Sequence, residues 1–452
     1  MNVDHIVAAA TADWVASDAA GGVVALFEGG RIRRSWCLGL ADIESRRGWT
    51  LDTPTRLASI SKHVTAAAAF AHRLDVATRL GAWLPELQGP LGDTTLGRAL
   101  TMTSGIPDLA ETLALAGVAG SPALDAERLH RLSCRIAHLN FPAGTEVSYC
   151  NTNFRLAQRV VERVSGVGLA SWLRETFFAP LGLSSFALVE DQSVFVPGLA
   201  SGYWHKDGQP RRGQYLLHYS GSGGMVASAR DLAAWMGALL DGRGALAGIF
   251  AQLAEPGRLA DGTAIGYGHG FMLHRVGGRD LVGHGGSLPG YKNHVLLDPA
   301  TGRGVVVVSN REEAQAQALA LSVLAADLGL DHAPIAPTAV PTGLFIDPAT
   351  GDTLELAHGP QGPSAAFLGA EERLHLDADG TWASGAPHLP GERAVAPASG
   401  AAFRRRRAGR VQQPVAALAL RACLSRRRGA PGSWRVQRSA SCSCWSRRRC
   451  FR

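Results

Sequence analysis

The chain has 452 residues, 46% of them apolar, enough to fill the cores of about two or three domains. Its formal charge of +7 comes from the C-terminal stretch: residues 401–452 hold 15 arginines and no acid, leaving 30 basic against 38 acidic side chains in residues 1–400, a net −8. An acidic folded part argues against nucleic acid as its partner, and no uncharged apolar run reaches the roughly 18 residues that a membrane span needs.

The N-terminal residues lack a basic leader, and Asp4 and Asp13 interrupt the first apolar run. They read as a first helix and not as a signal peptide, so a cytoplasmic location is expected. There the scattered Cys37, Cys134 and Cys150 are expected to stay reduced. Residues 22–28 and 31–41 flank Gly29-Gly30 and read as a strand hairpin. A turn-rich stretch at 51–55 precedes an alanine-dominated run at 62–74, which reads as a buried helix with Ser59 at its start. Residues 154–164, 169–178 and 231–240 read as further helices. Strands are then expected at 265–276, 280–283, 292–297 and 305–309, separated by glycine-rich turns, and a closing helix at 314–328. Strands, a long helical insert, more strands and a last helix predict an α+β fold: an antiparallel sheet with flanking helices and an inserted helical lobe, over residues 1–332.

A proline-rich linker follows at 333–341, then residues 342–400, whose short strands and turns suggest a small all-β domain. Residues 401–452 have no hydrophobic period and carry Cys423, Cys442, Cys444 and Cys450 among their arginines. A basic nucleic-acid arm and a metal site at Cys442-x-Cys444 are the functional readings, and the metal site lacks a second ligand pair. The stretch reads as a disordered tail, the product of a shifted reading frame.

The chemistry begins at a lysine. Only Lys62, Lys206 and Lys292 among the 45 basic residues are lysine. Lysine can lose its proton near neutral pH and act as a base, whereas arginine cannot. Ser59 lies three residues before Lys62, a spacing that puts both side chains on one face of a helical turn. The helix start adds partial positive charge and free N–H groups beside the serine. Further on, Tyr149-Cys150-Asn151 lies in a turn before the helix at 154. His284-Gly285-Gly286-Ser287 follows an expected strand, and glycine at 286 permits close approach to the backbone.

In this order, Ser59/Lys62, Tyr149/Asn151 and His284/Gly286 resemble the three motifs of the penicillin-recognising serine enzymes, the class C-like part of the beta-lactamase and penicillin-binding family. Thr103-Ser104-Gly105-Ile106-Pro107-Asp108, residues 178–183 and Gly221-Ser222-Gly223-Gly224 resemble supporting segments of the same family. The resemblance covers residues 10–330 and implies the beta-lactamase/transpeptidase-like fold. It also implies Ser59 as nucleophile, Lys62 and Tyr149 as the groups that move its proton, and Asn151 and His284 as orienting groups. The N–H groups of Ser59 and Ser287 would form the oxyanion hole, and no metal or cofactor is called for.

Within the family the text is most similar to the D-aminopeptidases. That resemblance implies a small peptide or amide substrate with an N-terminal D-residue. His284, where carboxypeptidases carry a lysine, fits an enzyme that binds no terminal carboxylate. A D-Ala-D-Ala carboxypeptidase, an esterase, a beta-lactamase-like hydrolase and an inactive ligand-binding relic are the alternatives. D-aminopeptidases continue into two β-barrel domains, the second sending a loop into the cleft. Residues 342–400 would then be a partial first barrel, with no counterpart to the second. A homodimer is left open.

Overall fold

The computed structural model describes residues 2–332, apart from 16–17, 88, 116–123, 207–208, 214–217 and 219, and the strand residues 343–346, 353–359, 362–367, 370–376 and 382–384. Helix α1 (Val3–Ala10) leads into the hairpin β1 (Gly22–Glu28) and β2 (Arg31–Leu38). The helical lobe contains α2 (Ser61–Ala71), α3 (Asn151–Ser165) and α4 (Ala229–Asp241), with shorter helices between them. The chain then returns to the sheet through β3 (Met272–Val276), β4 (Arg279–Leu288), β5 (Tyr291–Asp298) and β6 (Arg303–Ser309), and closes with α5 (Ala316–Leu328).

The sheet runs β3-β4-β5-β6-β1-β2, antiparallel throughout. Its central strands are covered on both faces, which is why β1 and β6 read as unbroken apolar runs without polar alternation. Val23, Ala25, Phe27, Val306 and Val308 face the helical lobe, where Leu232, Trp235 and Met236 of α4 pack with them in one core. Val24, Leu26, Val305 and Val307 face a second core built with Val7 of α1 and Leu319, Val323 and Leu324 of α5. The expected α+β architecture is therefore the one found.

Two expectations change. The strand expected at 265–276 forms only over Met272–Val276. The glycines before it serve as close backbone contacts: a side chain on Gly268 would start 2.3 Å from the Leu253 carbonyl oxygen, and Gly270 takes φ +93° against the backbone of His63. The strand expected at 280–283 is longer and carries the whole of His284-Gly285-Gly286-Ser287 before the turn at Pro289-Gly290. The glycines thus belong to strand, and Gly286 is the one that must lack a side chain, because it abuts the turn before α2.

Helix α4 begins with Ser228 accepting from the Asp231 N–H at 3.1 Å and ends at Gly242 in the left-handed region. Among the described residues no helix is long and apolar enough to cross a membrane. Five consecutive antiparallel strands, Gly343–Ile346, Thr353–Gly359, Gly362–Phe367, Ala370–Leu376 and Trp382–Ser384, form a separate meander within the segment expected as a partial barrel. The expected linker at 333–341 and the tail at 401–452 lie outside the described residues.

Candidate active site

Ser59 sits in the single helical turn Ala58–Ile60 that feeds into α2, so it lies just ahead of the helix and not within it. Ala58 takes φ +52°, a left-handed conformation that costs a residue with a side chain on the order of 1–2 kcal/mol. Tertiary bonds hold it there. The Leu57 N–H donates to the Met225 carbonyl at 2.8 Å. Ser61 Oγ donates to the Ala58 carbonyl at 2.6 Å and accepts from the Met225 N–H at 2.9 Å. The strained turn sets Ser59 just ahead of α2, where the residue is buried at 7% exposure.

Lys62 is fully buried. Its Nζ lies 3.0 Å from Ser59 Oγ, 2.8 Å from Asn151 Oδ1 and 2.9 Å from the Ser222 carbonyl oxygen. It also lies 4.6 Å from the centre of the Tyr149 ring. Burial pushes the amine down to about 7, against the opposing pull of Asp108. A lysine that is half neutral near pH 7 and touches a serine hydroxyl can take that hydroxyl's proton.

Asn151 occupies the first position of α3. Its N–H donates to Asp108 Oδ2 at 2.5 Å, and the Ala110 N–H donates to Asp108 Oδ1 at 2.8 Å. Asp108 thus caps the helix that presents Asn151 and also places negative charge behind Lys62. Tyr149 is buried, its ring centre 6.2 Å from that of His284.

His284 is fully buried, and both ring nitrogens are engaged. Nδ1 lies 2.5 Å from the Gly285 carbonyl, which fixes the proton on that nitrogen, and Nε2 accepts from the Tyr267 hydroxyl at 2.9 Å. Burial first, then the neighbouring Lys62 cation, hold its pKa well below the ordinary value. The ring is neutral and fixed.

β3 pairs with β4 only as far as Gly283, so residues 284–288 have β5 on one side and the serine turn on the other. Beyond Gly283 the serine turn takes the place of β3 alongside the strand. Gly286 meets that turn directly: a side chain there would begin 2.0 Å from the Leu57 carbonyl oxygen. Ser287 Oγ accepts from Lys292 Nζ at 2.8 Å.

Of the seven residues singled out in the sequence, Ser59, Lys62, Asn151, Tyr149 and His284 form one chain of contacts, while Gly286 and Ser287 lie on the strand that meets the serine turn. Sequence reasoning missed Asp108, the Ser222 carbonyl, Tyr267 and Lys292. Asp108 and Ser222 stood inside segments that had drawn notice, and Lys292 was one of only three lysines. Tyr267 carried no signal, because its role depends on a contact across 17 residues of chain.

A family model described as Beta-lactamase matches residues 3–329. The D-aminopeptidase of Cereibacter sphaeroides is 30% identical over 373 residues, 80% of this chain and 70% of that protein. The D-aminopeptidase of Brucella canis is 31% identical over 364 residues, 77% of this chain and 68% of its own length. Among solved structures, the octameric penicillin-binding protein homologue from Pyrococcus abyssi superposes with a TM-score of 0.65 at 20% identity, covering 84% of this chain and 91% of that one. The D-amino acid amidase from Ochrobactrum anthropi SV3 does so with a TM-score of 0.60 at 22% identity, covering 73% and 99%.

Proposed function

The chain belongs to the beta-lactamase family and is a serine hydrolase of that fold, and we propose that it releases N-terminal D-residues from small peptides and amides through an acyl-enzyme. The observation that carries this is the buried Lys62 amine, held near neutrality 3.0 Å from Ser59 Oγ. As Ser59 Oγ bonds to the substrate carbonyl carbon, its proton passes to neutral Lys62. The carbonyl oxygen gains negative charge facing the N–H groups of Ser59 and Ser287. The C–N bond then breaks, and the departing amine receives a proton through Lys62 and Tyr149. Water repeats the sequence on the ester, with Lys62 again taking a proton, and frees Ser59. Asn151 holds Lys62 and the substrate amide in register.

The amino-terminal reading is supported by His284. A carboxypeptidase needs a cation at this place for the terminal carboxylate, and a neutral ring with both nitrogens engaged supplies none. The D-aminopeptidases among the relatives agree with it. The test compares D-alanine p-nitroanilide with its L-isomer, an acyl ester and nitrocefin on the purified chain, with Ser59→Ala as blank. D-selective amide turnover is expected. Turnover confined to the ester or to nitrocefin would overturn the substrate assignment.

A further inference from the structure

On the face of the sheet away from His284, a chain of polar contacts surrounds the end of the β4–β5 hairpin. Ser287 and Lys292 are cross-strand partners, and both are buried, at 5% and 7% exposure. Lys292 Nζ lies 2.8 Å from Ser287 Oγ and 2.9 Å from Glu312 Oε1. The other carboxylate oxygen, Glu312 Oε2, accepts from the Gly290 N–H in the hairpin turn at 2.5 Å. Glu312 is itself tied down, because its N–H donates to the Tyr203 carbonyl at 2.9 Å. Gly290, at φ +82°, packs so closely on Gly202 and Tyr203 that a side chain would start 2.5 Å from their backbone.

A buried ammonium is unfavourable unless it is paired and hydrogen-bonded. Here both conditions hold, and the bonds close a ring from Ser287 through Lys292 and Glu312 to the turn three residues after Ser287. Residues 284–288 lie beyond the last pair with β3 and against the serine turn, so this ring braces the strand at the end that meets that turn.

We propose that Lys292, anchored by Glu312, is a positioning residue for the oxyanion hole: it fixes Ser287 against the serine turn, and its cation strengthens the Ser287 N–H as a donor. This rests on the reading of Ser287 as an oxyanion donor. A donor displaced by about 1 Å costs on the order of a hundredfold in rate, and a brace that acts through the donor should cost less.

The experiment measures two rates on the full chain: labelling of Ser59 by a fluorophosphonate probe, and kcat and KM for D-alanine p-nitroanilide. Lys292→Met should slow labelling and kcat about tenfold with KM within about twofold, and Lys292→Arg, which keeps the cation, should recover most of the loss. Glu312→Gln, a milder change, should slow both about threefold. Circular dichroism and melting curves identify any variant that fails to fold. Labelling within twofold of the parent in a folded Lys292→Met or Glu312→Gln variant overturns the proposal. So does a loss that Lys292→Arg leaves unrepaired. Labelling of Ser59 without turnover of the D-anilide would instead count against the substrate reading alone, and the labelling rates would still decide the role of Lys292.

Discussion

The carbonyl oxygen of Leu57 stands 2.0 Å from the point where a side chain on Gly286 would begin. Strand β4 and the turn carrying Ser59 thus meet backbone to backbone, one residue before Ser287 and two before Ser59. Gly286→Ala must push the two apart, since both sides of the contact are main chain. A fall of about a hundredfold or more in D-anilide turnover is expected, checked with circular dichroism to show that the fold survives. Turnover near the parent value would mean that the strand and the turn do not act together.

Ser59→Ala should remove turnover by at least about a thousandfold, because the nucleophile supplies the bond-forming step. Lys62→Arg should be nearly as inactive despite its retained charge, since a guanidinium does not give up its proton in this range. Single-turnover acylation, followed by mass spectrometry of the intact protein, separates loss of chemistry from loss of binding.

The pH dependence follows from the Lys62 amine at about 7. With the amine as base, kcat/KM should rise as pH climbs through about 7, where the free enzyme loses that proton. Stability carries the same signature. Between about 7 and 10.5 the unfolded chain keeps a proton on Lys62 that the fold has released, so the lysine's cost to folding is full below 7 and shrinks as pH rises. The melting temperature of the parent should therefore gain on that of Lys62→Met across that window, narrowing the gap between them.

Asp108 accepts an N–H bond from Ala110 beside it and another from Asn151, the first residue of α3. Asp108→Ala should cost about 1–2 kcal/mol in stability, as for other lost helix caps. It should also lower kcat, by loosening the Asn151 side chain that holds Lys62. Urea unfolding beside steady-state kinetics checks both.

His294 is fully buried in β5 with both ring nitrogens unbonded to any described residue, and it makes an edge contact with the His274 ring at 5.8 Å. Burial holds its pKa well below 6.5. Below 6.5 the unfolded chain takes up a proton that the fold refuses, so stability falls as pH drops from 6.5. The melting temperature should decline between pH 7 and 5, and His294→Leu should flatten that decline.

The long strands and helices were legible because each carries its own periodicity. The runs at 22–28 and 305–309 and the helix at 231–240 all appear within a few residues of their expected bounds. The Ile265–Phe271 stretch misled, because alternating glycines mimic strand spacing while serving contacts with Leu253 and His63. The site residues were legible for a different reason: their side chains and spacings are dictated by the chemistry.

By itself, then, the sequence determined which pair to propose as nucleophile and base. Ser59 and Lys62 are three residues apart, a spacing that sets both side chains on one side of a helical turn. Only the tertiary structure decided what makes them reactive. The pKa of Lys62 depends on its burial under Tyr149 and Phe154. The pose of Ser59 depends on Met225 bonding to the turn from 164 residues beyond Ser61. The neutrality of His284 depends first on its burial and then on the neighbouring Lys62 cation. Desolvation and electrostatic fields come from surroundings assembled over long chain distances, and no local pattern encodes them.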